Sequence, residues 1–260
     1  DSEGVLIDPL GGIEDVKARR VRFVGDANGR IREDYLRILR FFRFYAWYGD
    51  PKKGIDLEGL AACTELQSGL LNISKERIGL EIFKLLFAPS PASALLLMES
   101  AGILTHVLPG ANASALTFLE KLERGLTPNV LRRLALIGGE RPQDNLRLSN
   151  ATAKKLQKLR NLSQDSKFPQ EHGFVLGADS GRDSWLVRCA LLGVTPTDHE
   201  QKAIINSASE IMPVKAADLV DWFEGQELGI VLRKAQDIWI SSNMRLKKPE
   251  LIAQLLKEKK

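Results

Sequence analysis

From Arg32 to Tyr48 the chain alternates arginines with aromatic and aliphatic residues in a pattern that restricts it to one kind of element. At about 100° per residue, Tyr35, Ile38, Leu39, Phe42, Tyr45 and Ala46 gather on one side, while Glu33, Asp34, Arg37, Arg40 and Arg43 spread over the other. The spacing predicts a single amphipathic helix, stopped by Gly49 in a left-handed conformation and kept from continuing by Asp50-Pro51. Glu33 and Asp34 then fall in the first turn, where the helix dipole favours carboxylates. A solvated face usually mixes Lys, Glu and Gln. Here three guanidinium groups recur, each a planar bidentate donor suited to phosphates and base edges. From these residues alone, a solvated face and a functional one stand level.

The 260 residues exceed what one minimal core needs, so one elongated domain or two to three small ones are expected. The formal charge of +4 is modest but uneven: from Lys17 to Arg43 there are nine basic residues against three acidic ones, a local balance suited to a polyanion. Cys63 and Cys189 share no metal or redox spacing and read as inert thiols in a reducing compartment. His106, His172 and His199 do not cluster, and each reads as structural or surface-exposed. With no apolar run of about 18 residues and no signal-peptide pattern at its start, the chain is expected to be cytoplasmic, with no membrane contact.

Taken in order, Gly4 to Pro9 reads as a short strand ended by proline, and Val21 to Val24 as a second, with Gly25 to Gly29 a loop leading into the central helix. Everything later reads as helix: Leu57 to Ser68, Lys75 to Phe87 with Ser74 as N-cap and Ile78, Ile82 and Leu85 as its apolar stripe, Pro91 to Ala101, Ser114 to Arg124 and Pro128 to Ile137. Ala151 to Leu162, Asp183 to Leu192, Asp198 to Ile211, Leu228 to Ser241 and Pro249 to Lys257 complete the series. The fold class is mainly α with a small β remnant at the N-terminus. No repeat of fixed period is present, so a regular solenoid is not supported.

Three segments resemble successive motifs of the class II tRNA nucleotidyltransferases, the family of CCA-adding enzymes and bacterial poly(A) polymerases. They are Asp8-Pro9-Leu10-Gly11-Gly12-Ile13-Glu14-Asp15-Val16, then Arg32 to Arg40, then Ser74-Lys75-Glu76-Arg77-Ile78-Gly79-Leu80-Glu81-Ile82-Phe83-Lys84. The resemblance covers the first third of the chain. It implies the end of a head domain and a hinge over residues 1–25, a nucleotide-reading neck over 26–90, a helical body over 91–210 and a helical tail over 211–260. It further implies that the second motif reads the incoming nucleotide and that the third braces it.

The chemistry of the bases fits that role. Cytosine and adenine each present an amino donor beside a ring-nitrogen acceptor, whereas uracil and guanine present a carbonyl beside a ring N–H. A carboxylate at Asp34 can accept from the amino group while Arg37 donates to the ring nitrogen, so one pair of side chains selects C and A together. On one helix their i, i+3 spacing makes them neighbours. Arg40 and Arg43 continue the face toward ribose or phosphate oxygens. Taken as an ordinary intrahelical ion pair, Asp34 and Arg37 would contribute only about 0.3 to 0.5 kcal/mol. Arg77 and Glu81 read as a structural i, i+4 pair. The basic end, Arg245 to Lys248 with Lys257 to Lys260, is read equally as an RNA phosphate contact and as helix-end chemistry.

The resemblance implies CTP, ATP and the tRNA 3' end as partners and Mg2+ as cofactor, with the metal-binding aspartates in a head domain. No catalytic residue is identified in this sequence, because Asp8 and Asp15 match the hinge and lack the close aspartate pairing that phosphoryl transfer needs. The 260 residues alone are expected not to transfer nucleotides. Two other classes stay open: a poly(A) polymerase of the same family, and a non-catalytic helical module that binds RNA or serves as a scaffold.

Overall fold

The computed structural model describes residues 8–166 and 168–257. They are mainly helical, and among them no strand forms; Ala111 and Gly138 make an isolated antiparallel bridge. Val21 to Val24 is irregular backbone without a ladder partner, which corrects the second expected strand. Of the first, residues 4–7 lie outside the described residues.

The chain divides into two compact units, residues 1–160 with 186–195, and residues 161–185 with 196–260. The first begins with α1 (Gly12–Ala18) and α2 (Ala27–Glu33). The stretch read as a loop before the central helix is itself helical from Ala27, because the Asp26 side chain accepts the backbone N–H groups of Asn28 and Gly29 and so caps α2.

The expected single helix over Arg32 to Tyr48 is broken. α2 ends at Glu33, Asp34 is extended at φ −157° and ψ 105°, and α3 runs Leu36–Tyr48. Asp34 Oδ1 accepts from the Leu36 backbone N–H at 3.1 Å, a local bond that competes with continuing the helix. Tyr35 lies so close to Gly69 that a Cβ there would come within 2.0 Å of the ring. Glu33 and Asp34 therefore sit at a helix end and a bend, not in a first turn. Gly49 is also extended, at φ −65°, and a Cβ there would meet the Tyr45 ring at 2.5 Å; glycine is needed for space, not for handedness.

The apolar face of α3 is as expected, with Ile38, Leu39, Phe42 and Tyr45 buried, joined by Leu36 and Phe41. It packs on α5 (Lys75–Leu86) through Ile78, Ile82 and Leu85. Asp56 caps α4 (Leu57–Glu65), which ends short of the expected Ser68 and passes into a 3-10 turn over Gln67–Asn72. The same core continues through α6 (Ala92–Ser100), α7 (Ile103–Val107), α8 (Leu116–Leu122) and α9 (Val130–Ile137). Cys63 is buried in it, and desolvation pushes its thiol up to about 12. α10 (Pro142–Asn145) and α11 (Asn150–Asp165) follow.

α12 (Pro169–Leu192) contains a break at Gly177, where φ is 76°. In the second unit, α13 (Asp198–Ser207) carries a Thr197–Glu200 capping box, and α14 (Gly225–Ser241) packs on α15 (Lys248–Lys257) through Ala235, Trp239, Leu251 and Leu255. Phe174 meets Trp239 edge-on at 5.4 Å. A Cβ at Gly173 would come within 2.0 Å of the Ile204 carbonyl oxygen, which fixes how closely α12 and α13 approach in this unit.

Candidate functional site

Two of the expected site residues meet at one cavity of the first unit. Arg37 and Arg40, one turn apart on α3, line a space of about 330 Å³ together with Arg22, Arg30, Phe41 and Phe44. The segment from Val21 to Val24 forms its other wall. That wall is held by aromatic stacking, since the Phe23 and Phe41 rings lie 5.2 Å apart at 21°.

The charges in the cavity are unequally committed. Arg37 Nη1 donates to Glu33 Oε2 at 2.6 Å and to the Arg30 carbonyl at 2.9 Å, and Arg30 Nη1 also donates to Glu33. The Arg37 hydrogen bond, with smaller help from Arg30, holds the Glu33 carboxyl below its ordinary value. Arg22 donates to Asp15, which it and Arg20 hold below the usual carboxylate range. Arg40 is exposed and, among the described residues, has no hydrogen-bond or ion-pair partner. Four guanidinium groups thus face two carboxylates, beside flat aromatic rings. Such a space suits an anionic ligand with a planar ring.

The other two expected residues stand elsewhere. Asp34 is at the bend between α2 and α3, where its Oδ2 accepts from Arg77 Nη2 at 2.8 Å. Asp34 and Arg37 are therefore not paired on a helix face; each has a different protein partner. Arg43 is turned onto α5, with its Nε 3.0 Å from Glu81 Oε2, and its guanidinium lies 4.4 Å from the centroid of the Phe44 ring. Arg77 and Glu81 accordingly do not pair with each other. Each reaches across to the segment it supports, Arg77 to Asp34 and Glu81 to Arg43, which is a stronger brace between elements than an i, i+4 pair within one. Trp47 Nε1 adds a third tie, donating to the Lys84 carbonyl at 2.9 Å.

Arg22, Arg30 and Phe44 were not singled out as site residues. The basic run from Lys17 to Arg43 contained the signal, but reading residues 25–29 as a loop concealed that Arg30 sits on α2. The hinge carboxylates have structural partners. Asp8 accepts from the Gly12 and Ile13 N–H groups at 2.7 and 2.8 Å, and Asp15 is occupied by Arg20 and Arg22.

A family model described as the probable RNA- and SrmB-binding site of polymerase A matches residues 54–114. Over 98% of its length the chain is 31% identical to the mouse (Mus musculus) mitochondrial CCA tRNA nucleotidyltransferase 1, of which it covers 62%. The chain is similar to CCA-adding tRNA nucleotidyltransferases over nearly its whole length. A second relative, the CCA-adding enzyme of Geobacillus thermodenitrificans, is 42% identical over 115 residues, 42% of this chain and 26% of that enzyme. The fold is similar to that in the crystal structure of the Bacillus stearothermophilus CCA-adding enzyme in complex with CTP. That likeness has a TM-score of 0.69 at 24% identity and covers 100% of this chain and 70% of the other. The Thermotoga maritima CCA-adding enzyme complexed with tRNA also shares the fold, at a TM-score of 0.57 and 14% identity, over 98% of this chain and 68% of that one. The chain thus spans about 62% of the length of the first curated relatives it matches. Among the described residues no helix is long and apolar enough to cross a membrane.

Proposed function

We propose that these residues select and hold the substrates of an RNA nucleotidyltransferase that adds C and A to tRNA 3' ends from CTP and ATP. The observation that carries this reading is the cavity beside α3, where Arg37 and the unpartnered Arg40 face flat aromatic rings; Asp34 does not line it and stands at the bend that leads into α3. Each Asp34 oxygen already accepts one hydrogen bond and retains a second lone pair for a base amino group. Arg37 commits only Nη1 to the described residues, which leaves Nη2 for a ring nitrogen. Arg40 is placed for phosphate or ribose oxygens, and Arg43 steadies Phe44 and α5. Arg77 is a positioning residue that acts through Asp34.

In this reading residues 26–90 select the nucleotide, while 91–210 and 211–260 hold the RNA. Mg2+ belongs to the chemistry of the family, but the described carboxylates do not fit it: Asp8 caps α1, Asp15 is held by two arginines, and among the described residues no group of three His, Cys, Asp or Glu side chains is placed for a metal. The residues described here are suited to selection and not to the transfer step. Metal-dependent incorporation of CMP or AMP by the 260-residue chain would overturn that assignment. A poly(A) polymerase of the same family uses the same base features and differs in accepting ATP alone.

Calorimetric titration of the chain with CTP, ATP, UTP and GTP tests the selection. Binding of CTP and ATP only, lost in Asp34→Asn and in Arg37→Gln, is expected. Equal binding of all four, or selectivity unchanged in both variants, would sink the base-reading role.

A further inference from the structure

The segment that the family model describes as a probable RNA-binding site is poor in the charge that holds RNA. Between residues 54 and 114 there are three cations, Lys75, Arg77 and Lys84, against six carboxylates. Arg77 is moreover committed to Asp34. From Asn145 to Gln164 the balance is the opposite, with Arg147, Lys154, Lys155, Lys158 and Arg160 and no acidic residue.

The structure puts four of these five cations on α11, while Arg147 precedes the helix and is paired with Glu76 at 2.9 Å. Leu156 and Leu159 pin α11 to the core, and Lys154, Lys155 and Lys158 are exposed. Lys154 and Lys158 lie one turn apart, about 5–6 Å between their Cβ atoms. Among the described residues none of the three lysines has a carboxylate partner. Beside them a groove of about 550 Å³ is lined by Arg141, Gln143, Asn150, Lys154, Gln157 and Arg160. Its one acid, Asp144, is held by Arg141 at 2.7 Å. Arg160 anchors the wall by donating to the Gly139 carbonyl.

We infer that α11 and this groove seat the sugar-phosphate backbone of the RNA, outside the residues 54–114 that the family model covers. The inference rests on the reading of the chain as an RNA-holding protein. An acidic protein partner fits less well, because protein interfaces centre on aromatic or large apolar anchors and no exposed side chain of that kind lines the groove. Cations and amides without an apolar centre are the composition of a nucleic-acid interface.

The test is the salt dependence of binding to a tRNA transcript lacking its terminal CCA, using the full chain. Neutralising the helix with Lys154→Gln, Lys155→Gln and Lys158→Gln together should weaken binding roughly tenfold or more and make the log–log salt slope shallower by about two to three, since each phosphate contact contributes about 0.9. The matched variant Lys52→Gln, Lys121→Gln, Arg124→Gln removes the same charge elsewhere in the unit and should leave the slope unchanged. An unchanged slope in the α11 variant, equal losses in both variants, or competition by polyglutamate as effective as by tRNA would each overturn the assignment. CTP and ATP titrations of the same proteins separate the failures. Retained nucleotide selection with an unmoved slope defeats only the α11 seat, whereas absence of both RNA and nucleotide binding defeats the reading beneath it.

Discussion

Arg132 and Arg133 on α9 and Arg37 and Arg40 on α3 are pairs of the same residue in the same compact unit, and the fold uses them in opposite ways. The α9 pair is only 2% exposed. Arg132 Nε donates to Glu123 Oε1 at 2.6 Å and Arg133 Nε to Glu123 Oε2 at 2.8 Å, while Arg133 Nη1 also reaches the Leu86 and Ala88 carbonyls at the end of α5. Those guanidinium groups are committed to joining α5, α8 and α9. On α3, Arg40 has no partner among the described residues and Arg37 leaves donors uncommitted toward a cavity. A buried guanidinium must have its acceptors built into the fold, whereas one kept at a cavity holds its hydrogen bonds for a ligand. Charge type read from the sequence therefore says little; the acceptors in reach decide the role.

The largest expected effect breaks the buried side of that comparison. Glu123→Gln leaves two buried guanidinium charges uncompensated and should cost about 3–5 kcal/mol in urea unfolding. Arg40→Gln should leave the urea midpoint unmoved and abolish tight nucleotide binding. Equal stability losses in the two variants would erase the distinction between the pairs. Replacing Glu123, Arg132 and Arg133 together by Leu, Met and Met should recover only part of the loss, because the Leu86 and Ala88 carbonyls would then lack their donor.

The next effect is on selectivity. Asp34→Asn keeps an oxygen able to cap the Leu36 N–H but loses the carboxylate, so CTP and ATP should each bind roughly ten- to hundredfold more weakly, with UTP and GTP unchanged. Arg77→Gln should reduce the same preference by a smaller factor while leaving Asp34 in place. If Arg77→Gln lowers affinity for all four nucleotides equally, Arg77 contacts the ligand itself and is not a positioning residue.

Much of this architecture was legible in the sequence, and what was not has a common cause. The apolar stripes of α3 and α5 follow from local periodicity, and so do most helices of the chain. The break at Asp34 does not, since it depends on a side-chain bond to Leu36 and on a Tyr35 ring lodged against Gly69, far along the chain. Period alone gives Asp34 and Arg37 a shared face, and their actual partners, Arg77 and Glu33, come from packing against α5 and from the end of α2. The second strand failed for a similar reason: Val21 to Val24 is β-prone, but among the described residues no segment pairs with it, and its side chains close a cavity instead. Nothing in the local sequence marks Arg132 and Arg133, because their partner Glu123 lies nine and ten residues away, at the end of α8.

The smallest effect concerns Arg22, which stands between the two kinds of arginine: it lines the α3 cavity, yet it is held by a carboxylate. Hydrogen bonds from Arg22 first and Arg20 second keep the Asp15 pKa below its ordinary 3.8. A carboxyl lowered in the folded state adds stability that is present above pH 3.8 and is lost as pH falls through the still lower folded value. Asp15 is partly buried, but its partners Arg20 and Arg22 are about half exposed, so screening keeps the contribution small. Thermal unfolding of the wild type and Asp15→Asn should therefore show the wild type slightly more stable near neutral pH, with the two curves converging as pH drops below that range. A constant offset at every pH would mean that Asp15 acts through shape alone. In that case Arg22 is as free to meet a ligand as Arg40, and the cavity has two uncommitted arginines in place of one.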